Sequence, residues 1–118
     1  MLTVTPLTGT FGAHIENVNL LQHDARLVDE IRAARSEHKG LVIPEQQSLT
    51  PDGLLRFAEH FGEAERAPHP DWSDVPGHVG VKLLATGHYP TGVDVGDSWH
   101  TDGPPRTVTQ WYSFLHAK

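Results

Sequence analysis

Ser98-Trp99-His100-Thr101-Asp102 leads, after the breaker Gly103-Pro104-Pro105, into Thr107-Val108-Thr109-Gln110-Trp111-Tyr112-Ser113-Phe114-Leu115-His116-Ala117. The second run alternates. Val108, Gln110, Tyr112, Phe114 and His116 fall on one face, and Thr109, Trp111, Ser113, Leu115 and Ala117 on the other, so a long β-strand is expected over 107–117. The motif before it carries the chemistry. Residues i and i+2 of an extended chain project to one face with Cα atoms about 6–7 Å apart. His100 and Asp102 have that spacing, and their side chains can converge on one ion. A neutral imidazole and a carboxylate are two of the three ligands in the facial triad that holds non-haem iron(II) and leaves its opposite face open.

Two other pairs share the spacing without the context. His69-Pro70-Asp71 has a central proline inside a loop, which spoils strand geometry. His14-Ile15-Glu16 has nothing around it that resembles an open site. His116 follows the alternation of a core or barrel strand and is not taken as a third ligand. His100, by contrast, ends a glycine-rich loop, Ala85–Asp97, of the length that is often functional in a compact domain.

Upstream the pattern is mixed. Asp24 can cap a helix over Ala25–Glu37 with Leu27, Ile31 and Ala34 on one face and Val28 beside them. His38, Lys39 and Gly40 suit its end, with Gly40 as the left-handed glycine. Thr50-Pro51 is a cap followed by a first-turn proline, and Leu54, Phe57, Ala58 and Phe61 form a helical stripe, so a second helix is expected over 51–61, closed by Gly62. Short strands are expected at Leu2–Thr5, Phe11–Ile15 and Leu41–Ile43, the last of them buried. A further strand at His78–Leu84 should be buried at Val79, Val81 and Leu83, and Glu63–Gly77 reads as a loop. The expected class is α+β, as a single domain over 1–118.

Composition narrows the function classes. The chain has no cysteine, which excludes disulfides, zinc–thiolate sites and thiol catalysis. Its net charge of −6 argues against nucleic acid or an anionic membrane as partner. MLTVTPLTGT lacks the basic start and apolar run of a signal peptide, and no stretch approaches the ~18 apolar residues of a membrane span. A soluble, cytoplasmic protein is expected.

Trp99-His100-Thr101-Asp102 resembles the tryptophan–histidine–serine/threonine–aspartate signature of the taurine dioxygenase family, which includes aryloxyalkanoate and alkylsulfate dioxygenases. The resemblance extends along the chain. Val4-Thr5-Pro6-Leu7 with Gly12-Ala13 is similar to the family's opening strand pair. Gly40-Leu41-Val42-Ile43-Pro44 and Gln46-Gln47-Ser48-Leu49-Thr50-Pro51 are similar to its buried strand and second helix start. Phe57-Ala58 with Phe61-Gly62-Glu63 resembles its phenylalanine–glycine–glutamate helix end, and Tyr112–Ala117 the strand after the metal motif.

The resemblance implies a partial double-stranded β-helix (jelly roll) with two flanking N-terminal helices. It implies iron(II) as cofactor, 2-oxoglutarate as co-substrate, and oxygen-dependent hydroxylation of a small, anionic organic substrate. His100 and Asp102 would be iron ligands. His69, Asp97, Ser98, Trp99 and Arg106 would be candidates for substrate contact. The third iron-ligating histidine, and the arginine and threonine that hold 2-oxoglutarate, are expected beyond Lys118, so that this chain alone would be an inactive N-terminal portion. The family's taurine-contacting histidine and asparagine correspond to Ala67 and Gly96, so taurine is not the expected substrate. Cut at this point, a jelly roll would expose strand edges and favour homo-oligomers. The alternative is a non-catalytic jelly-roll binding module with a vestigial metal site. A different cupin-like metalloenzyme would explain the histidine and aspartate but not the ordered helix matches.

Overall fold

The computed structural model describes residues 2–68, 72–85, 98–102 and 107–118. These fall into two compact units, residues 1–63 with Lys118, and residues 64–117.

The first unit is built around a buried strand. β1 (Thr3–Pro6) and β2 (Ala13–Glu16) pair antiparallel, with Thr3 opposite Glu16 and Pro6 opposite Ala13. β3 (Leu41–Val42) pairs parallel to β2, so the order is β1-β2-β3. Pro6 closes β1 from within the ladder, which an edge strand tolerates. Parallel neighbours need a crossover, and α1 (Ala25–His38) supplies it. Ala13 and Ile15, two residues apart on β2, are both fully buried, and Val28, Ile31 and Ala34 on α1 are also buried. The buried stripe of α1 thus runs through Val28, Ile31 and Ala34, and Leu27 lies at its half-exposed margin. Asp24 accepts from the Leu27 N–H at 2.8 Å and caps α1 as expected.

The end of α1 departs from expectation. Lys39, not Gly40, takes the positive φ, at 68°. Gly40 instead lets the Phe11 ring lie close: a Cβ there would be 2.9 Å from the ring, which would have to shift. Val42 is also exposed rather than buried, because β3 is an edge strand whose alternate side chains face away from the sheet's packed side.

A 3-10 turn, η1 (Leu20–Gln22), has no counterpart in the sequence reading. It is held by Gln46, the buried polar residue of this core. Gln46 Oε1 accepts from the Leu20 N–H at 3.0 Å, and Nε2 donates to the carbonyls of Val18 and Pro44, both at 2.8 Å. α2 (Pro51–Ala58) packs against η1. Thr50 Oγ1 accepts from the Gly53 N–H at 3.1 Å, which is the expected cap. α2 is shorter than the expected 51–61. The chain leaves α2 with Phe61 N–H on the Ala58 carbonyl at 2.9 Å, and Gly62 turns to φ 152°. Phe57 is only 1% exposed, worth roughly 1.5–3 kcal/mol of burial.

The second unit contains a hairpin of β4 (Asp74–Val75) and β5 (His78–Lys82). Pro76-Gly77 makes the corner, with Gly77 at φ 81° as the third position of a type II turn requires. Lys82 Nζ reaches Asp74 Oδ1 at 2.7 Å, and this hydrogen bond holds the Asp74 carboxyl below its ordinary pKa. Val79 and Leu83 are exposed, against expectation, and Val81 is half-buried. A two-stranded hairpin leaves one face open to water, so alternation along β5 does not bury a whole face.

Residues 107–117 form no strand ladder, also against expectation. Residues 107–110 are all exposed, but from 111 to 116 the exposure alternates: Tyr112, Phe114 and His116 are half-buried while Trp111, Ser113 and Leu115 are exposed. The alternating pattern is a property of the chain, but a ladder requires a neighbouring strand to exchange hydrogen bonds. The described residues comprise helices and two small sheets.

Replacing Gln46 with Met removes all three amide bonds while nearly keeping volume. Three main-chain groups lose their partner, so chemical denaturation should show a loss of about 2–3 kcal/mol. Thr50→Ala should cost about 1 kcal/mol in the same measurement.

Candidate metal centre

His100 and Asp102 lie in irregular chain, not in a strand, yet their side chains meet. His100 Nε2 is 3.4 Å from Asp102 Oδ1. A bend of the chain at Asp102 accompanies the contact that strand pleating was expected to make. His100 Nδ1 is 2.7 Å from the Ser98 carbonyl oxygen. A carbonyl can only accept, so Nδ1 carries the hydrogen and the neutral ring presents its Nε2 lone pair toward the carboxylate. Two lone-pair donors facing each other repel unless a cation sits between them, a proton or a metal ion.

The donor set fits a metal on three counts. Imidazole and carboxylate suit a first-row divalent ion. With bonds of about 2.1 Å, adjacent donors of an octahedron are roughly 3 Å apart, close to the observed separation. A main-chain carbonyl bonded to the second ring nitrogen is how ligating histidines are usually oriented. Both side chains are about half exposed, at 51% and 60%, so an ion could enter and keep water ligands.

Ser98 thus has a role the sequence reading did not assign, since its carbonyl orients the His100 ring. Trp99 projects its indole fully into solvent. His69, Asp97 and Arg106, read as substrate contacts, lie outside the described residues. His14 sits half-buried on β2 with Glu16 exposed beyond it, and among the described residues no three metal-binding side chains cluster.

The sequence model of the taurine catabolism dioxygenase TauD, TfdA family matches residues 3–118. Among solved structures, the chain is similar to an alpha-ketoglutarate-dependent taurine dioxygenase from Burkholderia xenovorans: 38% identity, TM-score 0.61, over 67% of this chain and 28% of that one. It is similar to a taurine dioxygenase from the same organism, with 33% identity and TM-score 0.59 over 66% of this chain and 28% of the other. An alpha-ketoglutarate-dependent 2,4-D dioxygenase from that organism shares 26% identity and a TM-score of 0.54, over 63% and 32% of the two chains. The chain therefore spans less than a third of the length of these relatives.

Iron(II) or manganese(II) titrated into the chain should bind weakly through His100 and Asp102. His100→Ala or Asp102→Ala should each weaken that binding by at least about tenfold, since even outer-shell losses cost 10–100-fold. Binding unaffected by both changes would place the ion on other side chains.

Proposed function

The chain belongs to the taurine catabolism dioxygenase TauD, TfdA family, and on that premise we propose that it forms the N-terminal part of an iron(II)- and 2-oxoglutarate-dependent dioxygenase with a jelly-roll core. The enzyme acts in the cytoplasm on a small, anionic organic molecule. The observation that carries this reading is the meeting of His100 Nε2 and Asp102 Oδ1 at 3.4 Å within the family match. When bound, iron(II) with 2-oxoglutarate and oxygen would couple oxidative decarboxylation of the co-substrate to hydroxylation of a substrate C–H bond.

The chain's own residues have definable tasks. His100 offers Nε2 in the tautomer that its bond to the Ser98 carbonyl selects. Asp102 offers a carboxylate whose charge offsets that of a dication. Trp99 supplies an exposed aromatic face directly beside the ligand pair. Arg106, three residues after Gly103, is proposed to meet a substrate anion through the forked guanidinium geometry that suits carboxylate or sulfonate oxygens. His69, Asp97 and Ser98 are proposed to complete the substrate contacts.

Two side chains supply two of the three ligands of a facial triad, so the 118-residue chain by itself is expected to release no succinate above background. Joined to the C-terminal portion of the 38%-identical relative, it should release succinate from 2-oxoglutarate with iron(II) and ascorbate. His100→Ala or Asp102→Ala in that chimera should lower the rate at least ~100-fold, about 2.7 kcal/mol of barrier. A chimera whose turnover survives both substitutions would overturn the assignment. A chimera that folds and binds iron(II) at His100 without turnover would favour the non-catalytic binding module.

A further inference from the structure

His23 follows η1, His60 follows α2, and the two rings meet although 37 positions separate them in sequence. Their Nε2 atoms are 2.9 Å apart. The rings stand nearly perpendicular, with centroids 4.8 Å apart and planes at 82°. His23 Nδ1 lies 2.6 Å from the Leu20 carbonyl oxygen. That bond places the hydrogen on Nδ1, so neutral His23 turns its Nε2 lone pair toward His60. The two Nε2 atoms are at the spacing of adjacent coordination positions, roughly 3 Å for bonds of about 2.1 Å.

The surroundings hold both rings in place. The edge of His23 meets Phe57 at 5.3 Å and 73°, and Phe57 is itself fixed in the core. The His60 main chain is tied to α1 by Arg32, whose Nη2 donates to the His60 carbonyl at 2.9 Å. Arg32 also pairs with Asp29 at 2.7 Å, which offsets its positive charge near the rings. His60 is exposed, leaving room for water on the far side of a bound ion.

We propose that His23 and His60 form a two-imidazole site for divalent first-row transition ions, copper(II) foremost and zinc(II) next. Imidazole donors suit both ions, and copper(II) heads the affinity order for nitrogen sites. Without metal, a proton joins the rings, with Nε2–H of one donating to Nε2 of the other. With metal, the bridging proton leaves to water, small ring rotations turn both Nε2 lone pairs onto the ion, and the ion fastens η1 to the end of α2. Binding to the folded form alone then stabilises it by mass action.

The test uses the chain carrying His100→Ala, so that the other histidine–carboxylate pair makes no contribution. Copper(II) is titrated in and paramagnetic broadening of the histidine ring signals is followed by NMR. The His23 and His60 signals should broaden together, ahead of the other remaining histidines. Adding His60→Gln should raise the copper needed to broaden His23 at least about tenfold. Zinc(II) should raise the Tm of the His100→Ala chain and leave that of the double variant unchanged. Broadening that begins at other histidines and spares this pair would overturn the proposal, as would broadening of His23 that is indifferent to His60→Gln. The order of broadening is read with the pair intact, so it stands even where His60→Gln perturbs folding.

Discussion

Ala13 and Ile15 on β2 leave solvent entirely, and the rest of the first unit follows from hiding them. β2 is the central strand, so both of its edges are occupied, by β1 antiparallel and β3 parallel. Its parallel neighbour cannot be reached by a tight turn. The chain must cross over, and α1 makes the crossing while laying Val28, Ile31 and Ala34 into the core. Burial of apolar surface drives this assembly but does not orient it. Orientation comes from hydrogen bonds at the margins, above all the Gln46 amide, which joins the segment after β2 to the segment after β3. A buried amide with its partners in place costs little; with them missing it would cost several times what an ordinary surface contact contributes.

The same device, a main-chain carbonyl that fixes a ring nitrogen, appears in both units. Leu20 fixes His23, and Ser98 fixes His100. In each case the carbonyl decides the tautomer of the neutral ring, and the tautomer decides that Nε2 carries the lone pair. The local backbone thus sets which nitrogen of the imidazole could serve as a ligand in the proposed sites. His60 and Asp102 then determine what kind of donor stands opposite, a second imidazole or a carboxylate, and so which ions suit the pair.

Much of the fold was legible where local physics is strong. Asp24 and Thr50 cap helices because short side-chain oxygens satisfy the first free N–H groups, a preference readable from a few residues. The apolar stripe of α1 and the small strands appear close to where periodicity put them. The hairpin at Asp74–Lys82 is legible in part: the strand at β5 follows from alternation, while β4 is marked only by the type II corner at Val75-Pro76-Gly77-His78. Illegible were features in which distant residues compete for space. Gly40 reads as a helix terminator, but in the fold it is where the Phe11 ring lies against the backbone. The expected strand at 107–117 shows the limit of periodicity, which records that alternate residues face different ways and not whether a partner strand lies alongside.

By itself the sequence determined the helix starts, the mixed α and β character, and the histidine–carboxylate spacing of His100 and Asp102, because each is encoded within a few neighbouring residues. Tertiary structure alone decided the 3-10 turn held by Gln46, the exposure of Val42, Val79 and Leu83, and the meeting of His23 with His60. It also decided the manner in which His100 meets Asp102, in irregular chain and with the Ser98 carbonyl on the ring rather than through strand pleating. The physical reason is common to all of them. Caps, stripes and spacings are short-range and survive in an isolated peptide's geometry. Exposure and long-range pairing depend on which surfaces each folded unit brings together; in the first unit that is settled only when the core closes around Ile15 and Phe57.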